Sequence, residues 1–182
     1  MKKFIFIIVL IVVFAIGIMK FSGKTALVLT PTPAPAQISN DYKNIAYQIE
    51  GQEILLKNGS AETAAAPDSV ETVTTQYFGN EVRGDFNNDG NQDVAFVLTQ
   101  SGGGTGVFFY VVAAIKTASG YKGTNAVFLG DRIAPQTTEF KNGEIIVNYT
   151  DRKPNESFAT DPSVGVSKYL KTNGLQLLEV SQ

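Results

Sequence analysis

From residue 40 to residue 182 apolar and polar positions alternate with period two, and turn dipeptides break the alternation at short intervals. Residues 45–49 (IAYQI) and 53–57 (EILLK) flank Glu50-Gly51-Gln52, the pattern of a β-hairpin. Asn-Gly pairs at 58–59, 142–143 and 173–174 mark tight turns. The second pair joins strands at 137–140 and 144–149, and the third joins 167–171 to 175–180. Further strands are expected over 70–78, 93–100, 107–116 and 124–129, which brings the number to ten. One stretch looks helical, 61–66 (AETAAA), and Pro67 ends it after a turn or two. Residues 107–115 (VFFYVVAAI) are apolar on both faces, as in a central strand covered on both sides. The pattern predicts an all-β domain of antiparallel, hairpin-rich meanders, folded as a sandwich or a coiled, barrel-like sheet. Phe108, Phe109 and Tyr110 are expected in its core, and no repeat recurs at a propeller-blade period.

The first part of the chain reads differently. Residues 4–19 (FIFIIVLIVVFAIGIM) are uninterrupted by any polar side chain, with Lys2 and Lys3 before them and Lys20 after. At 1.5 Å per residue such a helix is roughly 24 Å long, and snorkelling by Lys20 brings it close to a ~30 Å hydrocarbon core. The residues that follow, Lys20-Phe21-Ser22-Gly23-Lys24, offer no small-x-small cleavage site, so an uncleaved anchor is favoured over a removed signal peptide. Residues 1–24 are therefore read as a transmembrane anchor or uncleaved signal, and 25–39 as a linker whose alternating prolines (TPTPAPA) keep it extended. Lys2, Lys3 and the amino terminus place the N-terminus inside, and the 40–182 domain on the extracytoplasmic side of a single-pass cell-membrane protein.

Composition narrows the chemistry. The 182 residues include no His, Cys or Trp. That excludes Ser-His-Asp and Cys-His catalysis, imidazole and thiolate metal sites, disulfides and cysteine-borne lipid anchors. Four of the fifteen basic residues lie in the first 24 positions, leaving eleven against seventeen acidic ones and a net charge of −6 for the rest. Such a domain has no basic stripe for nucleic acid. What remains is chemistry done by oxygen.

One motif concentrates it. Residues 84–93 read GDFNNDGNQD, with oxygen-bearing side chains at Asp85, Asn87, Asp89 and Asp93 and with Gly90 at the sixth position from Asp85. This is the D-x-[DN]-x-[DN]-G start of a calcium loop. A hard cation with six to eight oxygen ligands needs the chain wrapped tightly around it; alternate residues point inward and glycine allows the sharp turn. Asn91 is expected to give its backbone carbonyl, and Asp93 to close the site directly or through water. Position twelve, the bidentate Glu of an EF-hand, is Phe96 inside an apolar strand, so the loop does not belong to a helix-loop-helix hand.

The motif resembles the shorter calcium loops of FG-GAP and VCBS-type repeats and of integrin-type propeller blades, which run straight into an apolar strand. More broadly, residues 77–149 are similar to uncharacterised bacterial envelope proteins, through GDFNNDGNQDVAFVLTQSGGGTGVFFYVVAAI, TNAVFLGDRI and NGEIIVNYTDR. The resemblance implies a single-loop secreted domain rather than a propeller, and it brings no established activity.

Weaker signals add little. The run 101–106 (SGGGTG) lacks the Gly-Lys-[Ser/Thr] of a phosphate-binding loop and is expected to be a hairpin loop that can rim a binding surface. Asp131-Arg132 and Asp151-Arg152-Lys153 are expected at solvated strand ends or in local ion pairs. The reading is a membrane-anchored, extracytoplasmic β-domain that binds Ca2+ through Asp85, Asn87, Asp89, Asn91 and Asp93. Its role is non-catalytic, toward an envelope protein or a glycan. The alternative is a cell-envelope hydrolase that attacks glycan or wall substrates with acidic residues.

Overall fold

The computed structural model describes residues 39–66 and 68–181. The expected anchor and most of the linker lie outside them, and among the described residues no helix is long and apolar enough to cross a membrane. Among the described residues the period-two pattern folds into twelve strands after a short 3₁₀ turn at Tyr42–Asn44. They are β1 (Ala46–Ile49), β2 (Gln52–Leu55), β3 (Ser60–Ala64), β4 (Thr72–Gly84), β5 (Asp93–Ser101) and β6 (Phe108–Thr117). The second half holds β7 (Gly120–Gly123), β8 (Val127–Asp131), β9 (Ala134–Lys141), β10 (Glu144–Asp151), β11 (Val164–Asn173) and β12 (Gln176–Glu179).

The fold is all-β and its sheets are antiparallel, in three layers. The central sheet runs β3-β4-β5-β6, with β7 and β8 sharing the far side of β6 along different stretches. One of its faces packs on the four-stranded sheet β12-β11-β10-β9, through Ala95, Val97, Val111 and Ala113 against Ile145, Val147, Tyr149, Leu170 and Leu177. The other face is covered by the β1-β2 hairpin: Val94, Phe96, Leu98, Val112 and Ala114 meet Ile45, Tyr47, Ile49, Ile54 and Leu56. Phe96 is the hub of this second core, with the rings of Tyr42, Tyr47 and Tyr77 at 5.3–5.5 Å. Residues 94–98 and 109–115 are all buried, as a two-faced apolar run requires, but Phe108, expected in the core, is exposed because the hairpin cover stops short of it.

Several expectations need correction. The stretch 61–66 is not helical: residues 61–64 belong to edge strand β3, and Ala61 pairs with Thr75. Six residues are too few to repay helix nucleation, whereas β4 offers a ready ladder. Strand β4 runs on to Gly84 through two register shifts near Gly79, past the expected end at residue 78. The Gly120–Gly123 strand was not expected, since two of its four residues are glycine. The strand expected over 124–129 starts at Val127, because Thr124 and Asn125 turn their side chains to Ala113 N–H and to the Leu177 main chain.

The third Asn-Gly turn is offset by one residue: Asn173 pairs with Gln176, and the turn residues are Gly174 and Leu175. Asn125 grips both the N–H and the carbonyl of Leu177, at 2.8 and 3.0 Å, while the Thr172 hydroxyl is tied to the Phe86 carbonyl. These two anchors set Thr172 opposite Leu177 and so fix the turn.

Gly123 lets the hairpin layer approach the central sheet closely. A Cβ there would run into the Ala46 carbonyl oxygen and the Tyr47 ring. Gly123→Ala is expected to destabilise the domain by about 1–3 kcal/mol. Gly165→Ala, at a position where a Cβ meets nothing within 4 Å, should be nearly neutral. Chemical unfolding of the two variants checks the difference.

Candidate metal loop and its anchoring

The 85–93 motif is the connection between β4 and β5, and the paired residues Gly84 and Asp93 close its base. Asn88 and Gly90 have left-handed φ values of 59° and 85°. These two reversals curl the chain so that side-chain oxygens of alternate residues face the loop's own amides. Asp85 accepts from the N–H groups of Asp89 (3.0 Å) and Gly90 (2.8 Å). The Asn87 side chain accepts from Asp89 N–H at 3.1 Å and donates to the Asp89 carboxylate at 2.9 Å. Asp89 also accepts from the backbone and side-chain N–H groups of Asn91, at 2.8 and 2.9 Å. Four of the five expected ligand residues thus form one hydrogen-bonded ring around Asp89, with Asn87, Asp89 and Asn91 exposed and Asp85 partly buried. The donations from Asn87 and Asn91 hold the Asp89 carboxyl below the usual carboxylate range.

Asp93 stands apart from that ring. It is fully buried, and its two oxygens accept from Phe86 N–H (2.9 Å) and Lys116 N–H (2.8 Å). Burial pushes its carboxyl above the usual range, helped by the charges of Asp89 and Asp85; the two backbone N–H groups oppose the shift. Among the described residues no three acidic side chains gather as a ready-made metal cluster. The oxygens of Asp85 and Asp89 are turned to amides in the loop, and those of Asp93 to amides beneath it. The expected donor set is all oxygen, three carboxylates with the Asn87 side-chain carbonyl and the Asn91 main-chain carbonyl, and suits a hard cation.

Sequence reasoning missed what fastens the loop down. Phe86 is the one apolar residue between the expected ligands, and its ring turns inward to lie 4.9 Å from that of Phe140. Its N–H goes to Asp93 and its carbonyl accepts the Thr172 hydroxyl at 2.7 Å, so the loop is tied to both sheets. An apolar side chain in an otherwise polar loop was the available signal.

Two other polar clusters appear. Tyr42 and Tyr77 both donate to Glu81 at 2.8 Å, and Arg83 donates to Glu81 at 2.9 Å. Burial and the Glu81 carboxylate push the Tyr42 hydroxyl up to about 12 and raise that of Tyr77 further. For Glu81, burial acts to raise the value, but the donations from both tyrosines and Arg83 together outweigh it and leave the carboxyl below 4.5.

The two Asp-Arg pairs meet in space. Arg132 makes a two-pronged pair with Asp131 at 2.7 and 3.0 Å and lies 4.0 Å above the Phe158 ring. Arg152 donates to the Arg132 and Thr160 carbonyls. The Arg132 side chain keeps Asp131 ionised, well away from the protonated state a general acid needs.

Compared with known proteins, the chain matches no family model, and neither a curated protein nor a solved structure is significantly similar to it.

Asp93→Ala leaves two buried N–H groups without acceptors and is expected to cost about 2–4 kcal/mol. Gln92→Ala, one exposed residue away, should stay within about 0.5 kcal/mol. Equilibrium unfolding of both separates the clamp from the rest of the loop. The Glu81 cluster predicts a pH profile. A lowered carboxyl stabilises the fold above its unfolded value near 4.5 and loses that contribution as pH falls through the folded value. Raised tyrosines stabilise it below 10 and lose that contribution as pH climbs toward 12. Stability should therefore fall at both ends, and Glu81→Gln should flatten both limbs in melts recorded across pH.

Proposed function

We propose that the chain is a calcium-binding β-domain, held on the extracytoplasmic side of the cell membrane by its apolar N-terminal segment. Its role is non-catalytic binding or support within the envelope. The observation that carries this reading is the 85–93 loop, where two left-handed residues curl an all-oxygen donor set between paired strand ends. Asp85, Asn87 and Asp89 would hold the ion with their side chains and Asn91 with its carbonyl, while Asp93 closes the loop from below. Bound there, calcium supplies positive charge that offsets the repulsion between neighbouring carboxylates and tightens the loop on its Phe86 anchor. The FG-GAP-like spacing of the motif supports the same assignment. The hydrolase alternative gains no comparable support, because Asp131 is committed to Arg132 and Asp93 to two amides.

Millimolar calcium should raise the melting temperature of the full chain in nonionic detergent by several degrees, and a chelator should reverse it. Asp89→Ala should abolish the response. A melt indifferent to calcium in the unaltered chain would refute the assignment. Separately, the full chain should sediment with membranes and a version lacking residues 1–30 should remain in the supernatant. Recovery of a mature chain starting near Gln37 would show cleavage instead.

A further inference from the structure

The covering hairpin is shorter than the sheet beneath it. Strands β1 and β2 have four residues each, against nine and ten in β5 and β6, so one end of that face lies open past the hairpin turn. The open end forms a groove of about 520 Å³. Its floor crosses four strands: Val73 of β4, Gln100 of β5, Phe108 and Tyr110 of β6 and Phe128 of β8. The register brings them side by side, with Gln100 opposite Phe108 and Tyr110 opposite Phe128. Phe108 and Phe128 are 41% and 47% exposed, and the Phe128 ring lies 6.4 Å from that of Phe108 and 5.3 Å from that of Tyr110. One wall is Glu50 at the hairpin turn; the other is Glu71 with the glycine-rich 102–104 segment. Each carboxylate uses one oxygen to hold a wall: Glu50 accepts from the Tyr110 hydroxyl at 2.8 Å, and Glu71 from Gly103 N–H at 3.0 Å.

The charge of this groove is one-sided. Its lining carries two carboxylates and three aromatic rings with no lysine or arginine. Elsewhere the fold covers rings with its own cations: Lys43 lies 3.7 Å from the Tyr77 ring centre, Lys116 4.5 Å from Tyr121 and Arg132 4.0 Å from Phe158. Aromatic faces flanked by carboxylates, with no cation of their own, attract a cation from outside by ring quadrupole and by charge. Four neighbouring strands span roughly 14 Å, enough for several residues of an extended chain. We propose that this groove binds a basic peptide segment, with a lysine or arginine side chain laid over Phe128 and Phe108 between Glu50 and Glu71. The site lies at the end of the central sheet and does not depend on the 85–93 loop binding a metal.

Trilysine serves as the probe, titrated into the full chain in nonionic detergent and followed by amide chemical shifts and calorimetry, with maltohexaose and triglutamate as comparisons. Saturable binding of trilysine is expected, with shifts at residues 102–106, 108 and 128, weakening as salt rises. Phe128→Ala, at a half-exposed ring, and Glu71→Gln should each lower the affinity roughly five- to tenfold while the unbound spectrum stays folded. The proposal is overturned if trilysine leaves those amides unmoved, if both variants bind it as well as the unaltered chain, or if maltohexaose binds there as tightly.

Discussion

Strands β5 and β6 are apolar on both faces, and a sheet of that kind is stable in water only if something covers it twice. The rest of the domain follows from this constraint. The four-stranded sheet supplies one cover and the β1-β2 hairpin the other, which yields two separate cores sharing the same central strands. A residue such as Phe96, with no exposed surface, contributes about 2–3 kcal/mol through burial alone, but only while the hairpin stays in place. The two covers differ in size, and the sheet face left bare by the smaller one is the aromatic groove.

The same strands decide where the polar loop sits. Asp93 is the first residue of β5, and Lys116, whose amide it accepts, lies near the end of β6. The motif's last carboxylate is therefore rooted in the central pair, while Asn87 and Asp89 stand in solvent and Asp85 is partly buried. Phe86 and Thr172 carry the connection across to the other sheet. A change in loop order has a direct mechanical route into the larger core, made of hydrogen bonds of 2.7–2.9 Å.

Much of this was legible in the residues. The two-faced run 107–115 announced a doubly covered strand, and Asn142-Gly143 announced a turn, because both depend on local pattern alone. Strand β3 was not legible: AETAAA has helical propensity, and only its neighbour β4 makes it a strand. The one-residue offset at Gly174 was equally hidden, since it is set by Asn125 and Phe86, distant in sequence from the turn they fix. The spacing of Asp85, Asn87 and Asp89 is local and could be read directly. The burial of Asp93 under two backbone amides could not, because one donor comes from 23 residues away. The meeting of Arg132, Arg152 and Phe158 likewise needed the β8 and β10 strand ends to be brought side by side.

The chain enters the described fold at Ser39, whose carbonyl accepts from Tyr121 N–H, and passes directly into the hairpin cover. That cover joins the central sheet through few backbone bonds, including Gln48 N–H to Thr124 and Ala126 N–H to Gln48. Tension applied from the N-terminal side reaches these bonds first and meets the long β5-β6 and β10-β11 ladders only afterwards. Under load the domain would thus yield in two stages, shedding a small lid that leaves Phe96 and its neighbours wet while the sandwich beneath stays paired. A domain built this way has a fuse at the point where its chain enters, and keeps the paired sandwich for the second stage.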